Sequence, residues 1–342
     1  MGYAKEKRKR EDKKRKIKIV LFGILIILVV AFAVVACIIP PSEWKYKINI
    51  PDISERGDGE LRVHFVDVGQ GDATVVELPD GKVMLVDGGN GSDEANKSLI
   101  RYLNALDVDF IDYLVVTHAD ADHCGGLTEV LKYKEIGYAY LPLVVEETDS
   151  AYAAFYSELV KEGCSYATAQ PPTQDKKETR LSVIDGEYPY TLVFLYPDSA
   201  LIDGIQPLPE DDNAASVVLW LDYMGTSVLF TGDATLETET RLLMNDFGGV
   251  HELYGVDIKS TEILKVAHHG SDSSTGEEFL QYLENLQTAV VSCGEDNPYN
   301  HPSIAVCERL ETAGATLYRT DIDGHIVITA DKGGTYSVEI ID

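Results

Sequence analysis

Beyond Ile39 the sequence lacks any uncharged apolar run long enough to cross a bilayer, so the body of the chain cannot line a pore by itself. It also lacks a glycine-rich phosphate loop of the Walker or dinucleotide type, which removes the common nucleotide-binding folds from consideration. Positive charge is scarce: 29 Lys and Arg stand against 57 Asp and Glu, a formal net charge of −28. Residues 1–18 carry a net +7, leaving −35 on the remainder. Such a body repels polyphosphates at long range, which excludes a broad electrostatic nucleic-acid-binding surface unless bound cations supply positive charge locally. Cysteine is sparse too. Cys124, Cys164, Cys293 and Cys307 lie outside the apolar segment, and Cys293 sits in an apolar run and Cys307 in a helical pattern, where cysteine serves as a small buried hydrophobe; free thiols are expected rather than disulfides.

What is present begins with a basic tail, residues 1–18, followed by an uncharged apolar stretch, residues 19–39, of the length a membrane helix needs. The bases before it and the acids after it (Glu43, Asp52, Glu55) predict a single-pass protein of the cell membrane, with the tail in the cytoplasm and the rest extracellular. Val34-Val35-Ala36-Cys37 offers an alternative, a lipoprotein modified at Cys37. Residues 40–60 read as a linker and 61–342 as the folded domain.

Within that domain Leu61 to Val68, Ala73 to Leu78 and Lys82 to Val86 read as a meander, followed by a helix opening at Ser92 and a strand ending at His118. Strands at Ser216–Leu221, Ser227–Phe230, Glu262–Ala267 and Ala289–Cys293 alternate with helices at Ala234–Phe247, Thr275–Leu286 and Ser303–Ala313, and two or three strands close the chain. Alternation in two halves, each begun by hairpins, predicts an α/β protein with helices outside two packed sheets.

The most informative segment is Thr117-His118-Ala119-Asp120-Ala121-Asp122-His123-Cys124-Gly125-Gly126 at the end of a strand. Where the chain turns, His118, Asp120, Asp122 and His123 can converge on one point, and the two glycines allow close backbone approach. Carboxylates and imidazoles clustered in this way call for a cation.

This segment resembles the His-x-His-x-Asp-His signature of the metallo-β-lactamase superfamily, with Asp120 in the place of the second histidine. His64 to Ala73, Val86-Asp87-Gly88-Gly89, Asp212-Asn213 leading to Ser216, Thr231-Gly232-Asp233, His268-His269-Gly270-Ser271 and Asn300-His301-Pro302 follow in the same order. Together they are most similar to the extracellular hydrolase domain of ComEC-type DNA-uptake proteins. The resemblance implies an αββα sandwich preceded by one membrane helix. It implies His118 and Asp120 toward one metal, Asp122 and His123 toward a second, Asp233 bridging, and His268 as the late ligand, with His269 beside it as the other choice. One or two divalent ions are implied, manganese or zinc first and magnesium next, because the missing middle histidine and Asp120 shift the donors from nitrogen toward oxygen. Between Cys124 and Asp233 there is no histidine; Asn213 and Ser216 occupy that part of the order. Asp72 is a candidate supporting carboxylate, and His301 a candidate proton donor.

The expected activity is a membrane-anchored, metal-dependent phosphodiesterase or nuclease acting on nucleic acid or nucleotides through an activated water oriented by Asp122. Any part in uptake then needs a separate channel protein; no oligomeric state is implied. Two alternatives are a hydrolase of another ester or amide, and a metal-bound envelope module without turnover.

Overall fold

The computed structural model describes residues 2–144, 150–172, 179, 181–249 and 251–341. It contains two compact units, 1–49 and 50–342. In the first, α1 (Gly2–Ile38) is one continuous helix, and its stretch Lys5–Ile38 is long and apolar enough to cross a membrane. A short 3-10 turn, Pro41–Tyr46, follows.

The second unit is organised by two sheets. β1 (Leu61–Phe65), β2 (Thr74–Glu77) and β3 (Val83–Val86) form the expected antiparallel meander. α2 (Asp93–Ala105) starts where Ser92 accepts a hydrogen bond from the Ala95 amide, and buries Leu99, Ile100 and Leu103, the face its periodicity predicts. It leads to β4 (Phe110–Val115), parallel to β3. The short α3 (Ala121–Cys124) and α4 (Leu127–Tyr133) precede β5 (Glu135–Leu141), and α5 (Ser150–Glu162) precedes β6 (Ser165–Thr168), each strand parallel to the one before.

The second half repeats the scheme. β7 (Thr191–Tyr196), α6 (Ser199–Ile202), β8 (Val218–Tyr223) and β9 (Thr226–Phe230) contain an antiparallel meander. Parallel additions follow: α7 (Leu236–Phe247), β10 (Ile263–Lys265), α8 (Glu277–Tyr282), β11 (Thr288–Val291), α9 (Ile304–Thr312) and β12 (Thr316–Arg319). After α10 (Thr320–Asp323), the last strands, β13 (His325–Ala330) and β14 (Tyr336–Ile341), return to the first sheet, where β13 pairs antiparallel with β1. The orders are β14-β13-β1-β2-β3-β4-β5-β6 and β12-β11-β10-β9-β8-β7.

Alternation along the strands makes the layers. Leu61, Val63 and Phe65 of β1 face Leu219, Leu221 and Tyr223 of β8 and Val228 and Phe230 of β9 in the core between the sheets. The opposite sides of β8 and β9, Val218, Trp220 and Leu229, pack with Leu242 and Leu243 of α7, Leu280 of α8 and Leu310 of α9. Each buried Leu or Phe contributes about 1.5–3 kcal/mol, so the two apolar layers hold the strand ends, and the loops on them, in fixed positions. This is the αββα arrangement expected from the sequence. The described residues, which include all five cysteines, contain no disulfide.

Candidate metal centre

The loops leaving the C-terminal ends of β1, β3, β4, β9, β10 and β11 converge on one point. The backbone is drawn tight there: Val217 N donates to Thr117 O (2.8 Å), tying the two sheets together, while Asp72 N donates to Asp122 O (3.1 Å) within the first half and His268 N to Gly232 O (3.1 Å) within the second. Gly71 is at φ 137°, and a Cβ on it would lie 2.3 Å from Asp122 O, so only glycine lets this loop close over α3.

Asp233 stands at the centre, 3 % exposed, with its amide held by Ser216 Oγ (3.1 Å). Around its carboxylate are the Nε2 atoms of four histidines: His123 at 3.2 Å, His268 and His269 at 3.7 Å each and His118 at 3.9 Å. Asp122 Oδ2 lies 3.3 Å from His269 Nε2, and Asp120 Oδ2 3.6 Å from His118 Nε2.

The opposite edges of these rings explain why the Nε2 atoms face inward. Asp87 accepts from Thr117 N (2.8 Å), from Thr117 Oγ1 (2.7 Å) and from His123 Nδ1 (2.8 Å). Since the Thr117 hydroxyl proton is directed to Asp87, its oxygen accepts from His118 Nδ1 (3.1 Å). His269 Nδ1 donates to Ser292 O (2.8 Å). All three rings thus carry their proton on Nδ1, and each presents an Nε2 lone pair to the centre. The Nε2 atoms of His118, His123 and His269 are buried without a hydrogen bond, as is Asp233 Oδ1. Buried acceptors aimed at one another are costly unless a cation lies between them, so the donor set fits a divalent metal.

Charge balance agrees. Five carboxylates, Asp72, Asp87, Asp120, Asp122 and Asp233, meet one buried ammonium, Lys265, whose Nζ is 2.8 Å from Asp72 Oδ2. Burial opposes ionisation of Asp233 and Asp122, yet the adjacent histidines hold both carboxyls well below the usual range. Burial likewise opposes charge on His123 and His269, but Asp233 and the other carboxylates raise both. The cluster demands positive charge, from protons or from a metal that displaces them.

The two late histidines, His268 and His269, both bring Nε2 to 3.7 Å from Asp233 Oδ2. His268, the expected ligand, is a quarter exposed and its Nδ1 faces Ser273 Oγ (3.1 Å). His269 is buried, has its tautomer fixed by Ser292, and reaches both Asp122 and Asp233. Ligand atoms of Asp72, His123, Asp233 and His269 all lie within 4.8 Å of one another. Asp72 also approaches the Nδ1 edges of His123 (3.8 Å) and His269 (3.6 Å); its Oδ2 pairs with Lys265, while its Oδ1 is buried without a hydrogen bond. It braces the rings at those edges. Asn213 forms a 3-10 turn with Ala214 and Ala215, and its buried Oδ1 has no hydrogen bond. His301 comes to the rim, its ring 5.7 Å from that of His268. Burial and then His268 and His269 lower its pKa, keeping it neutral near pH 7.

Sequence reasoning gave no role to Asp87, Thr117 or Lys265. Asp87 sits in the Val-Asp-Gly-Gly that ends β3 and was legible as motif though not as function; Lys265 lies in a three-residue strand and offered no local signal.

Residues 66–295 match the model of the metallo-beta-lactamase superfamily. Among curated proteins, the chain is 31% identical over 306 residues to ComE operon protein 3 of Bacillus subtilis (strain 168), covering 84% of this chain and 35% of that protein. It is 31% identical over 278 residues to competence protein ComA of Neisseria gonorrhoeae, covering 81% and 33%. The chain therefore spans about a third of the length of these relatives. Among solved structures, CmlA, a diiron beta-hydroxylase from Streptomyces venezuelae, is similar with a TM-score of 0.44 at 14% identity, covering 78% of this chain and 53% of that one. With the matched region spanning both sheets and enclosing every residue around Asp233, this chain belongs to the metallo-beta-lactamase superfamily.

Proposed function

We propose that the protein is a metal-dependent phosphodiesterase acting on nucleic acid or nucleotides outside the cell, held to the membrane by α1. The observation that carries the hydrolase reading is the set of three buried histidines whose Nδ1 protons are engaged and whose Nε2 atoms converge on Asp233. A divalent cation would be held by Asp122, His123 and His269 with Asp233, and His118 and Asp120 would contribute a second, thinner set of donors at the same carboxylate. Manganese or zinc suits this mixed nitrogen and oxygen set, with magnesium next. A cation bound there acidifies water and offsets negative charge on an attacked phosphate.

The remaining steps belong to the chain. Asp122, ionised and partly open to solvent, accepts a hydrogen bond from the attacking water and aims it. His301, neutral in the free protein, gains a proton when an anionic phosphodiester approaches and passes it from its imidazole to the leaving oxygen. Asp87, through Thr117 and His123, keeps two rings from rotating. A body with a net charge near −35 binds DNA weakly in general, so slow, metal-dependent cleavage is expected.

The name of one relative, competence protein ComA, supports a nucleic-acid substrate; any part in uptake would need a separate channel partner. The bases before α1's apolar stretch and the acids after it support an extracellular body, whether α1 stays as an anchor or Cys37 carries a lipid. The exposure of Asp120, 48% of its side chain, favours a second reading, a metal-bound module without turnover.

Incubating the full-length chain with manganese and a labelled oligonucleotide, a chromogenic phosphodiester or a β-lactam ranks the substrates. Cleavage of the first two and loss of both in Asp122→Ala is the expected result; hydrolysis of the lactam alone, or of none despite bound metal, contradicts it.

A further inference from the structure

Between β11 and α9 the chain runs through Gly294 to His301 at the rim of the metal centre. Asp296 and Asn300 adopt φ of 53° and 57°, a left-handed conformation that Asp and Asn accommodate more readily than other non-glycine residues. The loop is held by one side chain. Asn297 Nδ2 donates to Gly294 O (2.9 Å) and to His301 O (2.6 Å), while its Oδ1 accepts from Tyr299 N (3.2 Å) and His301 N (3.0 Å). Both donors and both lone pairs of the amide are thus used to hold the loop in one shape.

That shape presents two rings. Tyr299 and His301 stack with centroids 5.6 Å apart and planes 25° from parallel. His301 meets His268 edge-on at 5.7 Å, and His268 Nε2 is 3.7 Å from Asp233 Oδ2. Tyr299 is nevertheless 62% exposed. Single exposed aromatics are ordinary. One fixed in orientation by a fully engaged amide, backed by a second ring and connected ring by ring to a metal centre is a preformed face for a flat ligand.

The charge around it says which flat ligand. A cavity of about 560 Å³ lies against the same loop, and Asp67, Glu94, Glu295, Asp296 and Asp321 are among its lining residues. A nucleic-acid backbone gains nothing there. Stacking on a base is indifferent to the phosphate charge and available to every base.

We propose that Tyr299, backed by His301, is a stacking platform for an unpaired nucleobase next to a phosphodiester that would be held by the cation at the centre around Asp233. The inference rests on the phosphodiesterase reading and names its substrate class: single-stranded or frayed nucleic acid, read with little sequence preference. A duplex keeps its bases stacked on one another and offers the platform nothing.

The test measures binding and cleavage separately, on the full-length chain in detergent with manganese. Fluorescence anisotropy is read with a hydrolysis-resistant, labelled oligothymidylate and with the same strand made abasic throughout. The expected result is about ten-fold tighter binding of the base-containing strand, lost in Tyr299→Ala and retained in Tyr299→Phe and Tyr299→Trp. In cleavage of the ordinary strand, Tyr299→Ala raises KM more than it lowers kcat. Equal affinity of the wild-type chain for both strands, or no binding of either, overturns the platform and leaves the phosphodiesterase reading standing wherever cleavage is seen. Base-dependent binding that Tyr299→Ala abolishes, with no cleavage of any phosphodiester, upholds the platform and defeats the hydrolase.

Discussion

The side chains around Asp233 fall into two groups that are built differently. In one, His123 and His269 are buried, each Nδ1 is engaged by a carboxylate or a carbonyl, and Asp122 closes the group. At those Nδ1 edges the buried pair Lys265–Asp72 fills the space against both rings. In the other, His118 has the Thr117 hydroxyl at its Nδ1, and its partner Asp120 is about half exposed. A site whose ligands are oriented by buried groups binds with little reorganisation, whereas one that borrows an exposed carboxylate must order it first. On the proposed reading, Asp233 therefore serves a strong position and a weak one.

The largest effect is expected where the two groups meet. Asp233→Asn removes the charge common to both, and metal analysis of the variant should find both positions empty, with activity down by more than about 100-fold. Next comes the brace of the buried group. Lys265→Met leaves Asp72 as an uncompensated buried carboxylate and should destabilise the fold by about 3–5 kcal/mol in denaturant melts. Lys265→Met with Asp72→Asn should recover most of that stability but retain a metal affinity roughly 10–100-fold below wild type, because the rings have lost their backing. Full recovery of affinity in the double variant would mean that Asp72 does not act on the histidines.

A third prediction calibrates the comparison at a histidine outside both groups. His325 accepts from Asp67 N (2.9 Å), and burial, followed by the nearby His64, lowers its pKa to about 4. Its folded pKa lies below the unfolded value, so the neutral ring's contribution is complete above about pH 6.5 and is lost as pH falls toward 4. The shift corresponds to at most about 3 kcal/mol. His325→Phe should flatten the stability profile across that window, and an unchanged profile would place the pH dependence elsewhere. The smallest effect belongs to the weak group: Asp120→Asn should lower affinity for one metal by about ten-fold or less, leaving the other position filled.

How much of this was legible in sequence follows from how local each feature is. The turn from His118 to His123 was readable because four ligand-type side chains and two glycines fall together at a strand end, and local chemistry sufficed. The apolar Val66 and Val68 extend the sequence reading of β1 to Val68, but the strand ends at Phe65, and the turn beyond it is set by Asp67, whose carboxylate accepts from Gly69 N. β5, β6, α4 and α5 went unread: β6 is short, with Ser165 and Tyr166 exposed, and it exists because β5 offers it an edge. The return of β13 to β1 is a pairing across the whole chain and leaves no local mark. Spacing does not separate His268 from His269, because the left-handed φ of both residues, 51° and 52°, is a backbone fact that leaves the second ring buried and the first a quarter exposed. Lys265 reads as a strand residue that ought to be apolar, and only Asp72, distant in sequence, explains it.

The comparison between the two groups is tested most directly by equilibrium titration of the metal-free full-length chain with manganese, repeated on His118→Ala. Two classes of site are predicted, one at least ten-fold tighter than the other, with the weaker lost in His118→Ala and the tighter kept. Two sites of equal affinity, a tight site that disappears with His118, or no binding at all would contradict the account.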